Sequence, residues 1–83
     1  MSIRILYFAA LRETLGRSEE RLDAVAGESL AALRQRLADR GGDWQALVSM
    51  KNLKAAINQT MATADAPIQD GDEVAFFPPV TGG

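Results

Sequence analysis

The sequence predicts a small α+β domain in which one main helix covers a mixed sheet of four to five strands. Three observations lead to this prediction. The chain has only 83 residues, segments with strand character lie near both of its ends, and one long amphipathic helix lies between them. Because a helix and a sheet each have an apolar side to bury, the helix is expected to pack on one face of the sheet.

The first quarter of the chain predicts a strand, a short helix and a second strand. Residues 2–8 include Ile, Tyr and Phe, which favour strands. Residues 9–15 are good helix formers, and Gly16 follows them at the position where helices often end. The more polar residues 18–25 are expected to form a second strand that pairs with the first.

The clearest predicted helix covers residues 29–40. Ser29 suits its N-cap, because a serine hydroxyl can accept a hydrogen bond from a free backbone N–H of the first turn. The apolar residues of this helix recur with the spacing of a single helix face and are Leu30, Leu33 and Leu37. Its basic residues occupy the other faces, where we expect them to be solvated, and are Arg34, Arg36 and Arg40.

The second half of the chain predicts the remaining strands. Residues 54–59 predict a strand, and residues 59–62 are expected either to continue it or to pair with it. The dipeptide at 70–71, Asp-Gly, is typical of a tight turn. Residues 73–77 predict the final strand, which the two prolines that follow must end because neither can donate a hydrogen bond to a sheet.

This order of elements is satisfied by the β-grasp (ubiquitin-like) architecture, in which the first and last strands are neighbours. We assign residues 1–77 to a β-grasp domain and residues 78–83 to an extended, flexible C-terminal tail. The leucines of the main helix are expected to contact four apolar residues of the sheet, namely Ile3, Ile5, Val74 and Phe76.

The opposite face of the sheet is expected to carry an exposed apolar patch. Strand alternation places Leu6, Phe8 and Phe77 on that face, and Met61 is a candidate to join them. Apolar patches on small domains usually mark partner surfaces. The alternative is a register that differs by one residue, which would bury these side chains in the core.

The composition excludes most side-chain chemistry. The chain has no cysteine and no histidine, so a thiol nucleophile, a disulfide and the commonest metal ligands are ruled out. A net charge of −2 does not favour nucleic acid or a polybasic membrane surface. Because no signal-peptide pattern or membrane-spanning apolar run is present, we expect a cytoplasmic protein with no metal site.

The C-terminal tail has the features of a thin, insertable arm. Two prolines favour an extended chain, and the glycines that end it fit a slot too narrow for a side chain. The six residues reach roughly 20 Å when extended. A terminal carboxylate becomes an acyl donor once a partner enzyme joins it to AMP. The alternative is an ordinary frayed terminus. The residues expected to thread into a partner are Pro78, Pro79, Val80, Thr81 and Gly82, with the reactive carboxylate on Gly83.

Residues 70–83, DGDEVAFFPPVTGG, resemble the C-terminal signature of the small subunit of molybdopterin synthase (MoaD type), a ubiquitin-like sulfur-carrier family. Residues 6–9 with 12–13, and residues 56–59, resemble further segments of the same family. The resemblance covers the whole chain in order and is most specific in the last fourteen residues.

The resemblance implies a function. An adenylating enzyme is expected to activate Gly83 with ATP and Mg²⁺, and a sulfur donor to convert it to a thiocarboxylate. The carrier then docks on the large synthase subunit, in a heterotetramer of two small and two large subunits. There it gives sulfur to a cyclic pterin monophosphate precursor of the molybdenum cofactor. The docking surface is expected to include Phe8, Met61 and Phe77. The chain itself is expected to bind no cofactor and to have no catalytic side chain.

Two other functions remain open at this point. One is a sulfur carrier for thiamine thiazole synthesis, against which the Phe-Phe-Pro-Pro segment at residues 76–79 argues. The other is a binding module or ubiquitin-like modifier whose tail is inert or becomes attached to lysines.

Overall fold

The architecture is known from a computed structural model that describes residues 2–23, 25–50 and 52–79. The strands are β1 (Ser2–Tyr7), β2 (Glu19–Asp23), β3 (Lys54–Ile57), β4 (Thr60–Met61) and β5 (Glu73–Phe77). The helices are α1 (Ala9–Leu15), α2 (Leu30–Ala38), a 3-10 helix (Gly42–Gln45) and α3 (Ala46–Ser49). Within these ranges no helix is long and apolar enough to cross a bilayer.

The strands form one mixed sheet with the order β2-β1-β5-β3-β4. The first and last strands run parallel in its centre, with Ile5 opposite Val74. β1 is antiparallel to β2, and β3 is antiparallel to both β5 and β4. This is the β-grasp topology, so the predicted fold class and the predicted proximity of the first and last strands are confirmed.

Helix α2 begins where the sequence predicts. The hydroxyl of Ser29 accepts a hydrogen bond of 3.1 Å from the backbone N–H of Ala32, which satisfies one donor of the first turn. The three leucines of the helix are buried against one face of the sheet. As predicted, they belong to one core cluster together with Ile3, Ile5, Val74 and Phe76. The core also contains Tyr7, whose ring meets Trp44 edge-on with centroids 5.6 Å apart.

The predicted strand over residues 54–59 ends earlier, at Ile57. Asn58 and Gln59 have positive φ angles of 51° and 69°, which makes them the two central residues of a tight hairpin turn. Of the two possibilities for residues 59–62, pairing is therefore the correct one, since Thr60 lies opposite Ile57.

The basic residues of the predicted helix remain partly exposed, but two of them also form ion pairs, and Arg40 lies beyond α2, which ends at Ala38. Arg36 makes hydrogen bonds of 3.0 and 2.9 Å to the two carboxylate oxygens of Glu28. Arg40 makes equivalent bonds of 3.0 and 2.9 Å to Glu20, and its guanidinium lies 4.3 Å above the centre of the Trp44 ring. The reason is that acidic side chains from β2 and from the loop before α2 lie within reach of the helix.

Candidate functional site

The outer sheet face, which points away from α2, carries a row of apolar residues across four strands. Leu6 on β1 lies opposite Ala75 on β5, and Ala75 lies opposite Ala56 on β3. Ala56 in turn lies opposite Met61 on β4. Residues that are directly opposite each other share a face, so these four side chains form a continuous strip.

Two aromatic residues extend this strip at the end of the central strands. Phe8 follows β1 and is 45% exposed, and its backbone N–H donates a hydrogen bond of 3.2 Å to the carbonyl of Phe76. Ala9, the next residue, has a positive φ of 53°, and there the chain turns from β1 into α1. Phe77, the last residue of β5, is half-buried and lies opposite Lys54. Together these residues define the apolar patch, which consists of Leu6, Phe8, Ala56, Met61, Ala75 and Phe77.

Strand side chains alternate between the two sheet faces as predicted. The alternative, a register shifted by one residue that would bury the patch residues in the core, is excluded. Tyr7 and Phe76 are buried on the helix side, whereas Phe8 is exposed and Met61 is 60% exposed. Large apolar side chains that stay in water on a small domain usually mark a contact surface. Phe8 and Met61 are thus exposed and Phe77 is half-buried, and the role of all three in docking stays a prediction.

The outer face is polar at its other end. Arg4 on β1 makes an ion pair of 2.9 Å with Glu19 and one of 3.7 Å with Glu73. These charges lie at the level where β5 begins, whereas the aromatic residues lie where β5 ends. The apolar patch therefore has a charged border on one side and adjoins the start of the predicted tail on the other.

The predicted tail begins at the edge of the apolar patch. β5 is held on both sides by β1 and β3, so the position of Phe77 is fixed by two sets of strand pairs. Pro78 is half-buried and Pro79 is exposed. The remaining tail residues that were predicted to thread or react, Val80, Thr81, Gly82 and Gly83, lie outside the described residues. The division of the chain at residues 77 and 78 stays a prediction.

The strongest perturbations of side-chain ionisation lie on the helix side of the sheet. Burial, together with a hydrogen bond of 2.9 Å to Glu20, raises the pKa of the Tyr7 phenol well above its ordinary value. Burial alone would raise the pKa of Glu20, but the hydrogen bonds from Arg40 and Tyr7 outweigh it and lower that pKa. This network joins β1, β2 and the end of α2, which points to a structural role.

Metal-binding groups are not assembled in the described parts of the chain. Across residues 2–23, 25–50 and 52–79, no group of three or more acidic side chains is arranged to hold a metal ion. What the site offers is an apolar contact surface beside the start of a glycine-ended segment.

Comparison with known proteins places this arrangement in a family. The model of the ThiS family matches residues 5–83. The chain belongs to the ThiS family. Two curated relatives carry the name molybdopterin synthase sulfur carrier subunit. The one from Escherichia coli (strain K12) is 44% identical over 81 residues, which cover 98% of this ThiS-family chain and 99% of the relative. The one from Haemophilus influenzae is 39% identical over 85 residues, with 98% and 99% coverage.

Solved structures share the fold of this ThiS-family chain. SAMP1 from Haloferax volcanii superposes with a TM-score of 0.81 at 26% sequence identity, over 100% of both chains. A Helicobacter pylori structure, described as a complex of subunits 1 and 2 of molybdopterin-converting factor, gives a TM-score of 0.71 at 21% identity, also over 100% of both chains. The second similarity is evidence for the fold alone.

Proposed function

We propose that this ThiS-family chain is the sulfur-carrier subunit of a molybdopterin synthase and that the carboxylate of Gly83 carries the sulfur. One observation carries the proposal. The Escherichia coli relative of that name is 44% identical over 98% of this chain, so the similarity includes both the folded body and the C-terminal segment. The same relatives support a large synthase subunit as the partner, since each is named as a subunit of that enzyme.

The geometry of the patch supports a carrier role. Phe77 belongs to the apolar patch and is also the last residue of β5 before the prolines. A protein that covers the patch therefore lies next to the point where the tail leaves the sheet. Because β5 is a central strand, the start of the tail is fixed relative to the docked partner, which lowers the entropy lost when the tail enters an active site.

The chemistry assigned to the tail needs activation by another protein, because this chain contains no cysteine and no histidine. The Gly83 carboxylate attacks the α-phosphate of ATP, releases pyrophosphate and becomes an acyl adenylate. Sulfide, supplied as HS⁻ by a sulfur donor, then attacks the acyl carbon, displaces AMP and loses its proton, which leaves the thiocarboxylate. ATP and Mg²⁺ belong to the activating enzyme in this proposal, and this chain supplies only the acyl group.

The sulfur acceptor in this proposal is a cyclic pterin monophosphate precursor held by the large subunit. Its dithiolene product contains two sulfur atoms, so two charged carriers are consumed for each product molecule. An assembly of two small and two large subunits would place one carrier at each active site.

Intact-protein mass spectrometry tests the proposal directly. The chain is incubated with ATP, Mg²⁺, an activating enzyme and a sulfur source, and its mass is measured before and after. We expect an increase that equals the replacement of one oxygen by one sulfur, located at Gly83 by fragmentation. A variant without Gly83 serves as the matched control and should gain nothing. A fully assembled reaction that leaves the wild-type mass unchanged would refute the proposal.

A ubiquitin-like modifier is the second candidate function. It is favoured by the similarity to SAMP1 of Haloferax volcanii, a small archaeal modifier protein, at 26% identity. Modifier activity predicts Gly83 in isopeptide linkage to lysines of other proteins, which the same mass spectrometry detects after proteolysis. Co-purification distinguishes the proposed function from a sulfur carrier for thiamine thiazole synthesis. The thiazole carrier would bind a thiazole synthase, whereas the proposed function requires a large molybdopterin synthase subunit.

A further inference from the structure

A cleft of about 710 Å³ lies on the helix side of the sheet, between α2 and the edge formed by β3 and β4. Leu30 from α2 and Phe76 from β5 contribute to its apolar lining. Val48 and Met61, which are 48% and 60% exposed, also line it and remain open to solvent. The cleft is thus an apolar site at the side of the domain, and most of its lining lies outside the apolar patch.

Arg34 is the basic residue that lines the cleft from the helix side, and it has no acidic partner within the described residues. Lys54, where β3 begins, also lines the cleft, but it lies opposite Phe77 and therefore on the outer face of the sheet. The described lining contains no carboxylate, although the chain as a whole has a net charge of −2. Arg36 of the same helix and Arg40, two residues beyond its end, behave differently, since each forms an ion pair of 2.9 Å.

Arg34 is a partly buried cation with no acidic partner among the described residues. It is half-buried, and burial lowers the pKa of its guanidinium below the ordinary value. Its Nε donates a hydrogen bond to the backbone carbonyl of Leu47. For its two terminal nitrogens, the described part of the chain provides no acceptor. A partly desolvated guanidinium is a strong donor for a carboxylate, with which it forms short, charge-assisted hydrogen bonds.

The position of the cleft favours an extended peptide as its occupant. β4 is the outermost strand on this side of the sheet, so its free edge can pair with an added strand. Clefts of roughly 300–1,000 Å³ suit ligands with several apolar groups and a few fixed polar contacts. A peptide that alternates apolar and acidic side chains would place its apolar side chains in the cleft and a carboxylate near Arg34.

We propose that the cleft between α2 and the β3–β4 edge is a second docking site, which binds an acidic, apolar segment of a partner protein. Its apolar lining takes the aliphatic side chains of that segment, and Arg34 pairs with a carboxylate. The site is independent of the proposed function, because it requires neither the tail nor a thiocarboxylate.

Titration with short peptides tests this site on the intact chain. The probe is the acetylated and amidated tetrapeptide Leu-Asp-Leu-Asp, and the matched control is Leu-Asn-Leu-Asn. Binding is followed by the amide shifts of the ¹⁵N-labelled protein. We expect the acidic peptide alone to shift amides around the cleft, such as those of Ala31, Arg34 and Ala62, and to bind more weakly as salt is added.

Two variants assign the binding to the cleft. Arg34→Gln should lower the affinity for the acidic peptide by about tenfold or more, because a charge-assisted hydrogen bond is lost. Arg21→Gln, which removes the same charge from an exposed position on β2, should leave the affinity within about twofold of wild type. Arg34 also donates a hydrogen bond to the backbone of Leu47, so Arg34→Gln removes a structural contact as well as a charge. Val48→Glu therefore provides a second test. Val48 is exposed, so a charge there does not disturb the core, and the new carboxylate should repel the acidic peptide.

The proposal is overturned by any of four results. Three of them are that the acidic peptide causes no shifts around the cleft, that the asparagine peptide binds equally well, and that Arg34→Gln and Arg21→Gln weaken binding to the same extent. Shifts confined to the apolar patch would also overturn it, because they would assign the peptide to the other face of the sheet.

Discussion

Ala75 on β5 lies directly opposite Ala56 on β3, in the middle of the outer sheet face. Both residues have only a methyl side chain, whereas the same row continues to Leu6 on one side and to Met61 on the other. Leu6 and Met61 are three strand spacings apart, or about 14 Å. The apolar patch therefore has a low centre between larger side chains, a shape that can accept an apolar side chain from a partner.

A charge at the centre of this patch should abolish docking. Ala75→Glu places a carboxylate where the partner would have to desolvate it, and we expect the affinity for the large synthase subunit to fall by about 30-fold or more. The cost in folding should be about 1 kcal/mol or less, because the side chain points away from the core. Calorimetric titration and thermal unfolding measure the two effects. Ala32→Glu, at an exposed position on α2, is the matched control and should bind normally.

Phe77 should be a major contributor to the binding energy. We expect Phe77→Ala to weaken docking on the large subunit by about 2 kcal/mol or more, because a few large aromatic residues supply most of the binding energy of many interfaces. Val25→Ala shortens an apolar side chain outside the patch and should have little effect, since Val25 is 53% exposed. If Phe77→Ala unfolds the chain without a selective loss of binding, the residue belongs to the core and not to the interface.

The two faces of the sheet could be predicted from the sequence because strand side chains alternate strictly. That rule placed Ile3, Ile5 and Phe76 in the core and Phe8 on the outside, as the structure shows. The low centre of the patch could not be predicted. It depends on Ala75 lying opposite Ala56, and this register follows from the pairing of strands that are far apart in the sequence.

The arginines of the predicted helix show a second limit of sequence reasoning. Helix periodicity indicated that they avoid the core, but not what they contact. The partner of Arg40 is Glu20, which lies 20 positions earlier in the chain and reaches the helix only once β2 has paired with β1. Arg34, for the same reason, was not recognised as part of a cleft. The importance of Gly83 came from the resemblance to a family and from the chemistry of a terminal carboxylate.

The tail should tolerate no added side chain near its end. Gly82→Val introduces a branched Cβ into the segment that is expected to pass through a narrow slot, and we expect sulfur transfer to the pterin precursor to be lost. Thermal stability should change little, because the substitution lies beyond the last strand. Product formation with the large subunit and differential scanning calorimetry provide the two measurements. Thr81→Val is the control, because it introduces the same side chain one position earlier. It distinguishes an effect of valine anywhere in the tail from an effect specific to position 82. A Gly82→Val variant that still makes product would rule out a narrow slot.

Acid should weaken the fold through Glu20. Its carboxylate accepts hydrogen bonds of 2.9 Å from Tyr7 and of 3.0 and 2.9 Å from Arg40, and it lies 3.5 Å from Arg17. Burial alone would raise its pKa, but these contacts lower the pKa in the folded state below the ordinary value of 4.5. A carboxyl group with a depressed pKa in the folded state stabilises the fold above its unfolded pKa. That contribution is lost as the pH falls through the folded value.

Glu20→Gln should therefore lower the free energy of unfolding by about 2 kcal/mol at neutral pH, mainly through lost charge-assisted hydrogen bonds. The difference from wild type should shrink as the pH falls below 4.5, because the wild-type carboxylate is then being protonated as well. Urea unfolding at several pH values measures both effects. Glu13→Gln, at an exposed position on α1, is the control and should follow the wild-type curve. A stability difference for Glu20→Gln that stays constant from neutral to strongly acidic pH would show that the charge of Glu20 does not stabilise the fold.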